Sequence, residues 1–578
     1  MSNGLKCPAH PAEVCPVKRY DLNASTLAFL GLLAVFFGLF LFYPVGLLLK
    51  KAFLADGRFT LKFFGLLLSD PFQREALANS FAIAFLTTAL ATLLVVPLAW
   101  AFSRFAFRGK GWLSALLLIP MIMPPFVGAI GLRQLLSRYG SLNLLLMDMG
   151  WLPSDEPIDW LGAGGFWGIV VLQVLNLYPI LLLNVSAAMS NIDPALREAA
   201  QNLGAGHWRL FRTVTLPLML PGYFAGAIIV FIWAFTDLGT PLIFGYSRVV
   251  PVQIFDAVNE VNTNPMGYAL VLVVLALTVV LFVLGKRALA SRRYEMLARG
   301  HVAGAELPAT PRQTLLIWGL AGALLVVALL PHAMVILQSV AGRWFFSILP
   351  NEWSAGTYAE IFQNPQTFLS VRNSLLFSGA SALLDLVLGV MIAWLLTRRR
   401  IPLPWLLDAL AMLPLALPGL VLAFGYAVAF DKFQNDWLNT YWNPRNNPTL
   451  LLIVGYSVRR LPYLVRSAYA GFQQTSVTLE EASANLGASP FRTLRRITLP
   501  LVMANLLAGT ILTFAFAMLE VSDGLILAMK EGYYPITKMI YQLMGRLDPG
   551  APAIASSCSL VTGAANGRGR GGIGLPQA

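Results

Sequence analysis

The chain has 578 residues, 57% hydrophobic and 12% charged, with a net charge of +13 and a mean hydropathy of +0.68. Soluble domains carry roughly a quarter charged residues, so this composition excludes an ordinary soluble enzyme, and the length of its apolar runs points to lipid. Nucleic-acid binding is excluded as well, because the Lys and Arg lie between apolar runs, where they orient membrane helices, and form no single basic face.

In chain order, an N-terminal tail, 1–25, carries Cys7, Cys15, Lys18 and Arg19. Crossing a bilayer takes about 20 apolar residues. Runs of that order predict membrane helices over 26–49, 79–101, 112–136, 165–190, 218–245 and 267–285. The first run is too long for a signal-peptide core and lacks a small-residue cleavage site, so it reads as a retained helix. A basic linker, 286–313, containing Arg292, Arg293 and Arg299, leads to a second set over 314–338, 374–397, 405–430, 449–472 and 501–528. A last run starts near Gly550 and fades after Val561 into a Gly- and Arg-rich sequence, so 551–578 reads as a degraded or truncated last helix and tail.

The predicted fold class is all-α: a polytopic membrane helix bundle of two tandem repeats, 26–285 and 314–550, of about six helices each. Arg104, Arg108 and Lys110, the linker, and Arg398 to Arg400 fall on one side; Asp148, Asp155, Glu156 and Asp159 fall on the other. The positive-inside rule therefore puts the N-terminus in the cytoplasm, with Lys50 and Lys51 against the trend.

The repeat can be checked within the chain. Asn79-Ser80 recurs as Asn373-Ser374, Ala99-Trp100 as Ala393-Trp394, Pro120 and Pro124 as Pro414 and Pro418, and Gly131 as Gly425, all at a shift of 294 residues. Downstream the shift becomes 283, because the first half has a longer loop after its third helix. Repeats of this kind place a solute path where the halves meet.

Two loops carry one pattern. The first reads Glu198-Ala199-Ala200-Gln201-Asn202-Leu203-Gly204 and then Pro217; the second reads Glu481-Ala482-Ser483-Ala484-Asn485-Leu486-Gly487 and then Pro500 at the same spacing. Each predicts a short helix, a break and a second short helix leading into the next span. Asp193 and Ser476 are suitable N-caps, Pro194 suits the first helical position, and Gly204 and Gly487 suit the left-handed turn that ends a helix. Ala199, Ala200, Ala482 and Ser483 leave a smooth face that another protein can approach, and the glutamates give it charge.

These loops resemble the signature of permease subunits of type I ATP-binding-cassette importers, and the resemblance extends over nearly the whole chain to about residue 550. It implies that the loops insert coupling helices into clefts on ATPase subunits, through Glu198, Ala199, Ala200, Gly204 and Pro217 and through Glu481, Ala482, Ser483, Gly487 and Pro500. Two such loops imply two ATPase copies, fed by a periplasmic or extracellular solute-binding protein. No Gly-x-x-x-x-Gly-Lys-Ser/Thr phosphate loop occurs in the chain. ATP and its Mg²⁺ are therefore expected on the partner, and the chain is expected to be a transport subunit of a bacterial inner membrane, with no cofactor, catalytic residue or metal ligand of its own. The three cysteines and four histidines form no reactive or metal-binding set.

Fused permeases with two such loops resemble importers of ferric iron, and also those of thiamine, aminoethylphosphonate or polyamine. Thr236 to Pro241 and Leu519 to Gly524 resemble the acidic segments of the iron type. An ionisable group inside a membrane costs about 2.5–3.5 kcal/mol on insertion scales and usually faces a cavity. Asp237, Glu520 and Asp523 either line the path or serve in interfacial capping or in packing between the halves. Arg459 and Arg460, opposite Asn176 and Leu177 in the repeat, either line an aqueous path or pair with acids on neighbouring helices. The competing function class is a secondary carrier driven by an ion gradient, which works without ATPase subunits.

Overall fold

The computed structural model describes residues 23–55, 58–121, 123–162, 164–258, 266–290, 306–431, 433–546 and 550–570. The tail with Cys7, Cys15, Lys18 and Arg19, and linker residues 291–305 with Arg292, Arg293 and Arg299, lie outside them. The first half runs α1 (Ala24–Phe53), α2 (Pro71–Arg104), α3 (Lys110–Met121), α4 (Pro125–Leu136), α5 (Phe166–Ser190), α6 (Pro194–Asn202), α7 (Trp208–Thr236), α8 (Gly239–Phe244), α9 (Val250–Ala257) and α10 (Met266–Ala290). The second half repeats this order. It runs α11 (Pro311–Ser339), α12 (Pro365–Arg398), α13 (Pro404–Leu415), α14 (Gly419–Ala429), α15 (Thr449–Gln474), α16 (Val477–Asn485), α17 (Leu494–Met518), α18 (Ser522–Leu527), α19 (Ile536–Met544) and α20 (Ala551–Arg570).

Local chemistry fixes the starts of the long helices. Asp70 caps α2 through the Phe72 amide, and Asn364 caps α12 through the Gln366 and Thr367 amides, each followed by a proline whose missing N–H costs nothing at that position. Thr310 and Gln313 form a reciprocal capping box on α11. Among the described residues eight helices are long and apolar enough to cross a membrane, and the bent pairs α3–α4 and α13–α14 pass the same test when each pair is taken together. α15, with 26 residues, is long enough too, but Arg459, Arg460 and Arg466 interrupt its apolar character.

Two predicted features change. The runs 112–136 and 405–430, each expected as one membrane helix, bend by 87° and 96°. Pro124 and Pro418 sit at these bends in extended backbone, since proline cannot donate to the helix and displaces the residue before it. The runs 218–245 and 501–528 likewise stop early: α7 ends at Thr236 and α17 at Met518, and the short α8 and α18 follow. The last helix is apolar over Ala551–Val561, and its backbone continues helical through Arg570. Its apolar part buries Ala551, Ile554, Ala555 and Cys558, and Ser556 and Ser557 bond to Gln338 and to the Ser339 carbonyl of α11.

In each half, three spans (α2, α5 and α7; α12, α15 and α17) all pack against one another. Lipid offers apolar groups no penalty, so close packing at small residues holds membrane helices together. Gly226 and Gly509, at the same repeat position, lie against α5 and α15: Gly226 meets Asn184 and Leu181, and Gly509 meets Leu464 and Ser467. Leu93, Leu320 and Leu383 face outward, the pattern of a lipid-bathed surface. The first helix of each half packs on the broken span of the other, α1 on α14 and α11 on α4. Tyr426 Oη donates to the Phe40 carbonyl at 2.7 Å across one of these crossings.

Candidate functional site

Two regions gather the candidate residues, and the repeat builds each of them twice. The first is the pair of loop helices. α6 follows its Asp193 cap, which accepts from the Ala195 amide at 2.9 Å; α16 follows Ser476, which accepts from the Thr478 amide at 3.3 Å. Both helices end at a glycine in left-handed backbone, Gly204 at φ +79° and Gly487 at φ +80°. Short helices at His207–Leu210 and Pro490–Thr493 then run through π-turns, Phe211–Thr215 and Leu494–Thr498, into the next span. Pro217 and Pro500 stand in the first turn after the π-turn, where a widened turn relieves the clash of the ring with the preceding carbonyls.

Glu198, Ala199, Glu481 and Ala482 are exposed on the loop helices. Ala200 is half-buried, and Ser483 is buried, its hydroxyl 2.9 Å from that of Thr493. The first half has Ala200 and Leu210 at these two positions, so a polar pair in one copy replaces an apolar pair in the other. Sequence reasoning passed over the most exposed apolar residues of the loops. Leu203 and Leu486, in the same place before each glycine, are both 89% exposed. Trp208 also projects, stacked on Phe211. The signal was there in the Asn-Leu-Gly triplet that recurs in both loops.

The loop helices are tethered to the spans differently. In the second half Arg398, at the end of α12, reaches Glu480 at 3.0 Å and the Phe472 and Thr475 carbonyls at 3.1 and 3.0 Å. In the first half the matching residues are Arg104 and Arg197. Arg197 donates to the Met189 carbonyl at 3.2 Å, while Arg104 stacks over Trp100 and Phe105. Burial, together with the like charge of Arg104, lowers the pKa of Arg197.

The second region lies at the breaks after α7 and α17. Asp237 accepts from the Gly239 amide at 3.1 Å and from Gln173 at 3.2 Å, and Gln173 in turn accepts from Thr87. At the matching position Glu520 is ion-paired with Arg459 and, at 2.5 Å, with Arg460. Asp523 lies 3.8 Å from Arg459, and Asp385, on α12, accepts from Ser457 at 2.6 Å. Gly419, at the bend of the broken span, leaves the room that the Arg459 guanidinium occupies. The structure thus brings Arg459, Arg460, Glu520 and Asp523 together, while Asp237 in the other half bonds to Gln173 and the Gly239 amide. Among the described residues no group of three or more His, Cys, Asp or Glu side chains could hold a metal ion.

A bundle of two like membrane halves, each presenting one exposed glutamate-bearing loop helix, is the architecture of a fused permease. The chain belongs to the family of binding-protein-dependent transport system inner membrane components, whose model matches residues 94–293 and 385–562. A putative ferric transport system permease protein of Haemophilus influenzae is 26% identical over 510 residues, covering 85% of this chain and 76% of that protein. The ferric transport system permease protein of Actinobacillus pleuropneumoniae is 25% identical over 510 residues, covering 85% of this chain and 70% of that protein. The molybdenum transport system permease protein of Escherichia coli is 27% identical over 220 residues, covering 37% of this chain and 92% of that protein, in keeping with one half of the repeat.

Proposed function

We propose that this permease imports ferric iron, drawing energy from two copies of a separate ATPase docked on α6 and α16 and receiving solute from an external binding protein. The observation that carries the ATPase docking is the duplicated loop: two exposed glutamates, Glu198 and Glu481, on helices ended by the same left-handed glycine, 283 residues apart. The basic ends of the spans, with Arg104, Arg108, Lys110 and Arg398 on the side of these loops, support a cytoplasmic position for them. The iron assignment rests on the two ferric transport permeases described above, each of which aligns along 85% of this chain. In this reading Asp237, Glu520, Asp523, Arg459 and Arg460 flank the route at the two helix breaks. Arg459 and Arg460 are engaged by Glu520, which argues against a free basic funnel for oxyanions.

The test is uptake of radiolabelled ferric iron into proteoliposomes holding the permease with its ATPase and binding protein. Uptake is expected only with ATP on the loop side, and the Glu198→Ala/Glu481→Ala variant is expected to lose the ATPase on purification. Uptake driven by a proton or sodium gradient without ATPase would sink the proposal.

A further inference from the structure

The two loop helices are chemically alike on their exposed faces and unlike where they join the membrane spans. In the second half Arg398 is a hub: its side chain is 6% exposed, and it holds Glu480, 22% exposed, together with the Thr475 hydroxyl and the carbonyls of Phe472 and Thr475. Its guanidinium also lies over the Phe472 ring. One side chain therefore ties the end of α12, the end of α15 and the loop helix α16 into one unit. A charge-assisted bond with little solvent around it resists bending, because breaking it strands a buried charge.

The repeat offers an internal control. Position for position, Arg398 corresponds to Arg104 and Glu480 to Arg197. Two cations cannot form that bond. Arg197 reaches only the Met189 carbonyl, which corresponds to that of Phe472, and its buried Nε has no hydrogen-bond partner among the described residues. Neither Arg104 nor Arg197 has a carboxylate within 4.0 Å among the described residues. The exposed faces that meet a partner are matched; the mechanical linkage behind them is not.

We infer that Arg398 and Glu480 are positioning residues that make the second loop helix the rigid transmission between ATPase and membrane spans, while the first is a compliant contact. This rests on the ATPase docking proposed above and adds that the two docking sites are unequal in coupling. A rigid loop passes ATPase motion to α12 and α15 directly, whereas a loop helix tied to its span by one Arg197 hydrogen bond and no ion pair absorbs part of it.

The test exchanges the two joints. Glu480→Arg gives the second half the first half's residue, which that fold already accommodates, and Arg197→Glu does the reverse. The measurement is solute transported per ATP hydrolysed in proteoliposomes, with ATPase retention on purification as a second readout. For Glu480→Arg the ratio is expected to fall by about tenfold with the ATPase still bound. Arg197→Glu is expected to keep the parent ratio or exceed it. The reversed pair, Arg398→Glu with Glu480→Arg, is expected to recover most of the loss, because it restores the ion pair and an arginine at 480 can reach the Phe472 carbonyl as Arg197 reaches that of Met189. Should Glu480→Arg yield no folded protein, Glu480→Gln is expected to show a smaller fall in the same ratio. An unchanged ratio in Glu480→Arg, equal falls in both exchanges, or loss of the ATPase from Glu480→Arg would overturn the inference. Failure of the parent chain to retain any ATPase would instead remove the docking proposal on which it stands.

Discussion

Asp237 and Glu520 hold the same place in the repeat, yet their neighbours give them different work. Asp237 is satisfied by a neutral amide and a backbone N–H, whereas Glu520 binds two guanidiniums inside the bundle. Neutralising them should therefore have unequal effects. Glu520→Gln leaves Arg459 and Arg460 without their main counter-charge, and breaking a buried pair from one side costs about 3–5 kcal/mol. Asp237→Asn retains an acceptor for Gln173 and is expected to cost about 1 kcal/mol. Thermal unfolding in detergent separates the two, and similar melting temperatures would contradict the ion-pair account. The serine of the second loop is a subtler case. Thr493→Leu strands the buried Ser483 hydroxyl at about 1–3 kcal/mol, and adding Ser483→Ala should recover most of that by recreating the Ala200–Leu210 pair of the first half. A double variant no more stable than Thr493→Leu alone would show that the hydroxyl pair does not set the local energy.

At the scale of elements, the spans were legible because apolar runs in lipid report themselves by length alone, and the interruptions were less so. Pro124 and Pro418 were visible in the sequence, but a membrane proline can kink a helix mildly or break it; the bends of 87° and 96° depend on what packs in the gap, such as Arg459 against Gly419. The ion pairs of Arg459 and Arg460 join residues about 60 apart, which spacing cannot reveal; pairing with neighbouring acids was one of two alternatives the sequence left open. The joint at Arg398 was missed for the same reason. The loop glycines, in contrast, were readable as turn residues, and the structure puts both in left-handed backbone with open space around a notional Cβ. Strain alone thus decides the effect of a substitution. Gly204→Ala and Gly487→Ala should each cost about 1–2 kcal/mol, weakening ATPase retention by up to about tenfold, while Gly→Asn, which tolerates that conformation, should stay near the parent. Equal loss from Ala and Asn would point to contact at the glycine itself.

At the scale of the whole molecule, the duplication was legible from two constant shifts, but the way the halves interlock was not. α1 crosses to α14 and α11 crosses to α4, and at both crossings a glycine of the broken span meets a proline of the visiting helix: Gly425 faces Pro44 and Gly131 faces Pro331. The interlock means that neither half completes its own packing, so a crossing residue acts on both. The two glycines differ in what a methyl group would meet. At Gly131 it would collide with the backbone carbonyl of Pro331, which cannot rotate away, and with Val335. At Gly425 it would meet the Pro44 ring at 3.2 Å and the end of Leu48 at 3.3 Å, and the leucine can shift. Replacing glycine by alanine inside a helix gains about 1 kcal/mol, whereas forcing extra volume into a packed interior costs about 1–3 kcal/mol. At Gly425 these terms nearly cancel, so Gly425→Ala should melt within a few degrees of the parent. At Gly131 the rigid contact puts the cost at the upper end, so Gly131→Ala should melt lower and open the α4–α11 crossing. Cysteines placed on α4 and α11 should then label faster in Gly131→Ala than in the parent. If both variants melt alike and label alike, the glycine–proline contacts are not what locks the halves together.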